Sequence, residues 1–458
     1  MDELLRDATN RAIRYLENIR ERRVSPGPGA LEGLGGFARP LQDQPLAPAT
    51  VLAELDALGS PATVASAGGR FFGFVIGGSL PAALAANMLA SAWDQNALLE
   101  VTSPVAAALE KVCRNWIGEL FGLPPESEIG FVTSATMANF TGLAAARHAL
   151  LLEQGWDVEA RGLFGAPPIT VVVGDEVHVS LLKALSMLGL GRDRVVRVDA
   201  DAQGRIIPER IPAIHGPTVV CLQAGNVNTG AFDPLEEVAW RLHGAPAWVH
   251  VDGAFGLWAA ASPSRRHLLR GVDRADSLAT DAHKWLNVPY DSGLVIVRNA
   301  RHLNAAMSST AAYLAEDETR APHLCVPEMS RRARAVEVWA ALRSLGRAGL
   351  AELIDRTCDH ARRFAEAFRR AGHEVLNEVV INQVLVSFGA PEITRRVIDR
   401  IQQDGTCWCG GTRWQGKTAM RISVSSWATT DADVGRSLEA ILRIAADVQS
   451  HAGGRLAG

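Results

Sequence analysis

From about residue 100 onward, short β-branched apolar runs alternate with stretches of helical period, and this alternation restricts the fold more than any other feature of the chain. The runs fall at residues 130–133, 169–173, 195–198, 218–222, 248–251, 277–279 and 293–297. Strands separated by helices cannot close as hairpins and must return by crossovers, so the expected product is an α/β fold with a mostly parallel sheet and flanking helices. In such folds ligands gather at the carboxyl ends of the strands. That edge is where chemistry is sought.

The chain has 458 residues, more than the roughly 250 to 300 at which a single hydrophobic core stops growing. Division into an N-terminal helical segment (1–65), a large α/β domain (66–345) and a smaller C-terminal α+β domain (346–458) is expected. Residues 2–22 repeat apolar positions at helical spacing, among them Leu5, Ile13, Leu16 and Ile19. The run Ser25-Pro26-Gly27-Pro28-Gly29 ends that helix, a Gly-rich linker reaches Gly36, and a second helix is expected at 50–58. Two amphipathic helices cannot bury their own stripes, which points to packing on a partner subunit or on the rest of the chain. A further helix is expected at 330–345, strands at 379–387 and 419–425, and a last helix from Asp431.

A formal net charge of -4 provides no electrostatic footprint for nucleic acid, which leaves small molecules as the expected partners. The six cysteines do not form the dense pattern of a secreted disulfide framework, so a cytoplasmic protein is expected. Cys407 and Cys409 have no second ligand pair at zinc spacing, and no metal is expected. Residues 71–93 carry no charge before Asp94, yet Gly73, Gly77, Gly78, Pro81 and Asn87 interrupt the apolar face and argue against a membrane span. The N-terminus has no signal-peptide core, so no membrane or export segment is expected.

Four segments carry candidate chemistry. In Asp281-Ala282-His283-Lys284-Trp285 a lysine follows a strand; such a side chain is either an ion-pair partner or, with its amine neutral, a group that condenses with a carbonyl cofactor. In Val249-His250-Val251-Asp252-Gly253-Ala254 a carboxylate ends an apolar strand, where it caps a helix or finds a cation such as a protonated pyridine nitrogen. In Thr133-Ser134-Ala135-Thr136-Met137-Ala138-Asn139 small hydroxyl residues open an Ala-rich helix, as a plain cap or as a phosphate seat. In Asp175-Glu176-Val177-His178 an imidazole follows a strand and either caps the next helix or stacks on a flat heterocycle.

Together and in this order the four segments resemble the group II pyridoxal 5′-phosphate (PLP) decarboxylases of fold type I, which include aromatic-L-amino-acid, glutamate, histidine and diaminobutyrate decarboxylases. The resemblance extends to Leu16-Glu17-Asn18-Ile19-Arg20, Arg70-Phe71-Phe72-Gly73-Phe74, Asn228-Thr229-Gly230-Ala231-Phe232-Asp233-Pro234 and Ser330-Arg331-Arg332. It implies PLP as cofactor, with Lys284 as Schiff-base lysine, Asp252 against the pyridine nitrogen, His178 and Ala254 on the two ring faces, and Ser134, Ala135, Thr136 and His283 around the phosphate. It further implies that Arg421 recognises a substrate carboxylate, that Phe74 and Val75 belong to the substrate wall, and that the protein is a homodimer with swapped N-terminal helices.

Two positions depart from the family pattern. Residues 321–329 read APHLCVPEM and lack the family's loop tyrosine, with His323 as the nearest titratable substitute; Val227 stands where the family has a threonine, with Asn226 and Asn228 beside it. The resemblance implies decarboxylation of an L-amino acid, aromatic or otherwise apolar because no basic residue is evident around Phe74 and Val75. Other PLP chemistry (oxidative deamination to an aldehyde, transamination, carbon–carbon lysis) is the alternative, followed by a non-catalytic binding protein.

Overall fold

The computed structural model describes residues 1–308 and 322–453. In chain order the helices are α1 (Asp2–Asn18), α2 (Pro28–Gly33), α3 (Pro48–Ala62), α4 (Pro81–Trp93), α5 (Pro104–Phe121), α6 (Ala135–Leu152), α7 (Val158–Arg161), α8 (Val179–Met187), α9 (Leu235–Arg241), α10 (Ala300–Met307), α11 (Ala335–Arg370), α12 (Pro391–Asp404) and α13 (Asp431–Gly453). The strands are β1 (Glu128–Val132), β2 (Thr170–Gly174), β3 (Val196–Val198), β4 (Thr218–Gln223), β5 (Ala247–Asp252), β6 (Ser277–Asp281), β7 (Gly293–Val297), β8 (Glu374–Val375), β9 (Gln383–Ser387), β10 (Gly410–Trp414) and β11 (Lys417–Ser423). Two compact units result, one of residues 79–359 with 377–383, the other of residues 1–78, 360–376 and 384–458.

The first unit is built on a seven-stranded sheet in the order β1-β7-β6-β5-β4-β2-β3. Strand β7 runs antiparallel to both β1 and β6, whereas β6, β5, β4, β2 and β3 pair in parallel. Strands β1, β4, β6 and β7 are buried at every position, as expected of sheet interiors covered on both faces. Helix α6 lies across β5, β6 and β7, and its Leu143, Ala146 and Leu150 share a core with Val173, Leu181, Val219, Trp248 and Val295. This mostly parallel α/β sheet is the expected fold class.

The second unit carries a four-stranded sheet, β10-β11-β9-β8, with α12 against α13 and β11. Phe72 meets Phe364 edge-on at 5.2 Å, and Phe368 meets Phe388 at 6.1 Å. Arg70 is buried and donates to the carbonyls of Arg20, Arg22 and Thr406, so it ties three separate chain segments together. In contrast, α1, α2 and α3 contain no buried residue.

Several expected boundaries move. Helix α1 stops at Asn18 rather than 22, and the supposed linker contains α2 and a 3-10 turn, Leu34–Phe37. The helix expected at 330–345 starts later, at Ala335, and ends as expected before Gly346, whose non-helical backbone (φ +60°) separates it from a second helical stretch that runs on to Arg370 within α11. The strand expected from 379 begins at Gln383: Val379 takes φ +55°, and the Asn377 amide donates to the carbonyls of Thr229 and Gln383, holding the segment irregular. No described helix is long and apolar enough to cross a membrane, and the uncharged stretch at 71–93 contributes only the 13 residues of α4.

Candidate active site

Strand β6 ends at Asp281, and the chain then turns through Ala282, His283 and Lys284. Lys284 Nζ stands 2.8 Å from Asp281 Oδ2, with one-fifth of the lysine side chain exposed. Oδ1 of the same buried carboxylate accepts the backbone N–H of Ala135 at 2.5 Å, in the first turn of α6. One carboxylate thus joins the lysine to the positive end of a helix dipole, where backbone N–H groups favour an anion. Ser134 occupies the N-cap position without a side-chain cap bond, and Thr136 follows, half-buried. Gly293 lets β7 start against this corner, since a Cβ there would stand 2.5 Å from the Ser134 carbonyl carbon.

His283 is fixed by its surroundings. Its Nδ1 accepts the Ser292 N–H at 3.1 Å, and its ring stacks on Tyr290 at 4.1 Å between centroids. The ring proton therefore sits on Nε2, which faces Asp281 Oδ1 at 3.6 Å. Burial holds this imidazole below the ordinary histidine range.

Asp252 ends β5, next to β6 in the sheet. Its Oδ1 accepts the Ala254 N–H at 3.1 Å and its Oδ2 the Asn139 side-chain amide at 3.0 Å. The turn that follows is locked to β6, because Gly253 N donates to Ala279 O and Asp281 N to Ala254 O. Asp252, Ala254, Asp281, Lys284 and the start of α6 accordingly form one corner at the carboxyl edge of the parallel strands.

His178 is the N-cap of α8, and its Nδ1 accepts the Ser180 backbone N–H at 3.3 Å. The loop that carries it is tied to the end of β4 by Gln223 Nε2, which donates to Glu176 O at 3.0 Å; Gln223 in turn is the register partner of Asp252. Asn226, just beyond β4, is buried, and its Oδ1 accepts the N–H groups of Asn228 and Thr229. Its Nδ2 is buried with no hydrogen-bond partner among the described residues. A donor of this kind costs stability unless a bound group satisfies it. A lysine amine, a carboxylate, a helix N-terminus and an unsatisfied amide on one strand edge suit a heteroaromatic phosphate that also carries a carbonyl.

His323, the nearest titratable substitute for the missing loop tyrosine, is not solvent-exposed. It is buried in the 3-10 turn Pro322–Cys325 and bonded to the Leu98 backbone, and its Nδ1 has no partner among the described residues. Burial lowers its pKa. Ala321, the first residue of that loop, lies outside the described residues. Phe74, Val75 and Arg421 belong to the other compact unit. There Phe74 is exposed and stacks on Trp408 at 5.3 Å, Val75 is buried, and Arg421 on β11 is half-buried, with desolvation lowering its pKa.

Residues 41–390 match the family model described as the pyridoxal-dependent decarboxylase conserved domain. The chain belongs to this family. PLP is its cofactor, and it is a PLP-dependent carboxy-lyase acting on an amino acid. Among characterised relatives it is 29% identical to the aromatic-L-amino-acid decarboxylase of Bacillus atrophaeus, over 79% of this chain and 78% of that one. It is 27% identical to the human cysteine sulfinic acid decarboxylase, over 83% and 82% of the two chains. The crystal structure of Oryza sativa TDC with PLP and tryptamine superposes with a TM-score of 0.89, at 24% identity and with 97% of each chain covered, a likeness of fold.

Three residues of this corner of the decarboxylase have no role assigned from sequence. Asp281 lies inside the lysine motif; an acid three positions before the lysine at a buried strand end was its signal. Asn139 on α6 and His250 on β5 bear on Asp252; the signal for His250 was polarity at period two along β5, where His250 and Asp252 share a face that Val249 and Val251 do not.

Proposed function

We propose that the protein decarboxylates an aromatic or other apolar L-amino acid, with Lys284 as the residue that condenses with the PLP aldehyde. The observation that carries this reading is the corner in which Lys284 Nζ, 2.8 Å from Asp281 Oδ2, sits beside the Asp252 turn and the α6 N-terminus. Bound PLP supplies a conjugated, electron-withdrawing ring into which electrons from a breaking bond at the substrate Cα delocalise. Asp252 would hold the pyridine nitrogen protonated, His178 and Ala254 would lie against the ring, and Ser134, Ala135, Thr136 and His283 would hold the phosphate. The Asn226 Nδ2 donor satisfies an oxygen of the ring substituents in place of the hydroxyl that Val227 lacks.

Which bond breaks is a matter of orientation. Residues that grip the substrate carboxylate would set which bond at Cα is oriented for cleavage, and a carboxylate so oriented would be lost as carbon dioxide. Arg421 is the proposed group that grips the substrate's carboxylate, Phe74 and Val75 form part of the side-chain wall, and His323 stands in for the loop tyrosine. Phe71 and Phe74 both stack on Trp408, at 5.0 and 5.3 Å, which makes the wall aromatic. The absence of a tyrosine from residues 322–329 favours a second reading, in which another bond at the substrate Cα breaks, giving keto acid or carbon–carbon lysis, or dioxygen acts as oxidant after carbon dioxide is lost, giving aldehyde and peroxide. PLP-loaded protein incubated with a panel of amino acids decides between them. Equal yields of carbon dioxide and amine from an aromatic substrate support decarboxylation, aldehyde with peroxide or keto acid supports the second reading, and no product with any amino acid overturns both.

The N-terminal segment, residues 1–65, is proposed to dimerise two copies around domains at 66–345 and 346–458. Leu5, Ile13, Leu16, Leu31, Phe37, Val51 and Leu55 are all exposed on one chain, an apolar display that a second copy would cover. Sedimentation of a Leu5→Glu/Ile13→Glu variant as monomer, against dimeric wild type, is the expected result. The six cysteines are unbonded and buried, which favours a reducing, cytoplasmic setting.

A further inference from the structure

Asp252 is held by a chain of buried hydrogen bonds that runs back through the sheet. Trp248 Nε1 lies 2.8 Å from Ser277 Oγ, Ser277 Oγ lies 2.7 Å from His250 Nδ1, His250 Nε2 lies 2.8 Å from Asn139 Oδ1, and Asn139 Nδ2 lies 3.0 Å from Asp252 Oδ2. The backbone explains the alignment. Trp248, His250 and Asp252 alternate along β5 and point to one face, Ser277 is the register partner of His250 on β6, and Asn139 sits on α6, which crosses both strands.

The carboxylate end sets the direction of the bonds. An ionised carboxylate can only accept, so Asn139 turns its NH₂ toward Asp252 and its Oδ1 toward His250, whose Nε2 must then carry a proton and donate. A neutral His250 protonated on Nε2 accepts at Nδ1, so Ser277 Oγ gives its proton to Nδ1 while accepting from the Trp248 indole N–H, which can only donate. The two donors to Asp252, Asn139 Nδ2 and the Ala254 N–H, are both neutral, so neither cancels its charge.

From this geometry we infer that Trp248, Ser277, His250 and Asn139 form a one-directional relay whose role is to orient the Asp252 carboxylate toward the pyridine nitrogen of the cofactor. The inference rests on the reading of Asp252 proposed above. Asn139, His250 and Ser277 are positioning residues, acting through Asp252. Two further features support it. Burial pushes His250 down to about 3, so it stays neutral and the chain cannot reverse at working pH. Gly142, inside α6, makes room for the ring: a Cβ there would meet His250 Cε1 at 3.1 Å and Ser277 Cβ at 3.3 Å. Glycine in a helix interior costs up to about 1 kcal/mol relative to alanine, and close approach is a reason to retain it.

The test compares binding of PLP with binding of its 1-deaza analogue, in which carbon replaces the ring nitrogen, by equilibrium dialysis. Wild type is expected to prefer PLP. Asn139→Leu should reduce that preference about tenfold and Ser277→Ala about threefold, with affinity for the analogue little changed. Equal weakening of both ligands would make Asn139 merely structural and overturn the relay. Equal binding of both ligands by wild type would instead sink the reading of Asp252, and Asp252→Asn serves as the reference for that outcome. A second readout needs no variant: ¹⁵N NMR of the cofactor-free protein should find His250 neutral with its proton on Nε2 from pH 5.5 to 8.5, and a proton on Nδ1 would refute the proposed direction.

Discussion

Two carboxylates one strand apart are held in opposite ways. Asp281, at the end of β6, pairs with the ammonium of Lys284 and the Ala135 N–H, whereas Asp252, at the end of β5, takes hydrogen bonds only from neutral donors. The difference fits what the proposed function asks of each position when the cofactor binds. In that proposal Lys284 leaves its ion pair to condense with an aldehyde, and the Ala135 N–H lies at the proposed phosphate seat, so the Asp281 contacts are ones that would exchange. Asp252, in the same proposal, stays still while its charge remains available. An ion pair open to solvent on one side can rearrange, and a fully buried relay cannot do so without leaving donors unsatisfied.

The sharpest break in this comparison comes from the exchanging side. Lys284→Ala should abolish turnover by at least about 10³-fold, on the order of 4 kcal/mol of barrier. It should also remove the borohydride-trappable chromophore; a trapped cofactor on another lysine would move the whole site elsewhere. Next in size, Asp281→Ala deprives Lys284 of its partner and the Ala135 N–H of its acceptor. The cofactor-free protein should lose about 2 kcal/mol in urea unfolding, and a double-mutant cycle with Lys284→Ala should show a coupling that shrinks as salt is added.

The static side predicts a dependence on pH instead of salt. His250 is held near 3 when folded and returns to about 6.5 when unfolded, so the unfolded chain binds more protons between those values. Its contribution to stability is complete above pH 6.5 and is lost as pH falls toward 3. The stability gap between wild type and His250→Asn should therefore narrow by about 2 kcal/mol between pH 7.5 and 5. A constant gap would mean that the ring is protonated or solvated in the fold. The smallest effect belongs to Gly142→Ala, where the intrinsic helix gain of up to about 1 kcal/mol opposes displacement of His250. Its expected signature is a reduced preference for PLP over the 1-deaza analogue with stability changed by less than about 1 kcal/mol.

The sheet was legible in the sequence because strands buried on both faces must be apolar along their whole length, and β7 is met with the boundaries read from its residues. Its antiparallel direction was not legible, since burial on both faces looks the same whichever way a strand runs. The break in α11 at Gly346 was legible because a glycine reads as a stop, whereas the helical stretch that resumes beyond it to Arg370 was not read. Among site residues, Lys284 and Asp252 stood out as charges at the ends of apolar strands, a placement that composition alone makes costly.

What the sequence by itself determined is the set of local facts: which runs are strands, which strand ends carry a charge, and which helix opens on small hydroxyl residues. These follow from side-chain periodicity and from the price of burying polarity. The tertiary structure alone decided partnership. Ala135 and Asp281 are 146 residues apart, and Asn139 and Asp252 are separated by 113. Only the strand order and the passage of α6 over β5 and β6 bring them within a hydrogen bond, because bond direction and distance depend on which elements pack together and not on spacing along the chain.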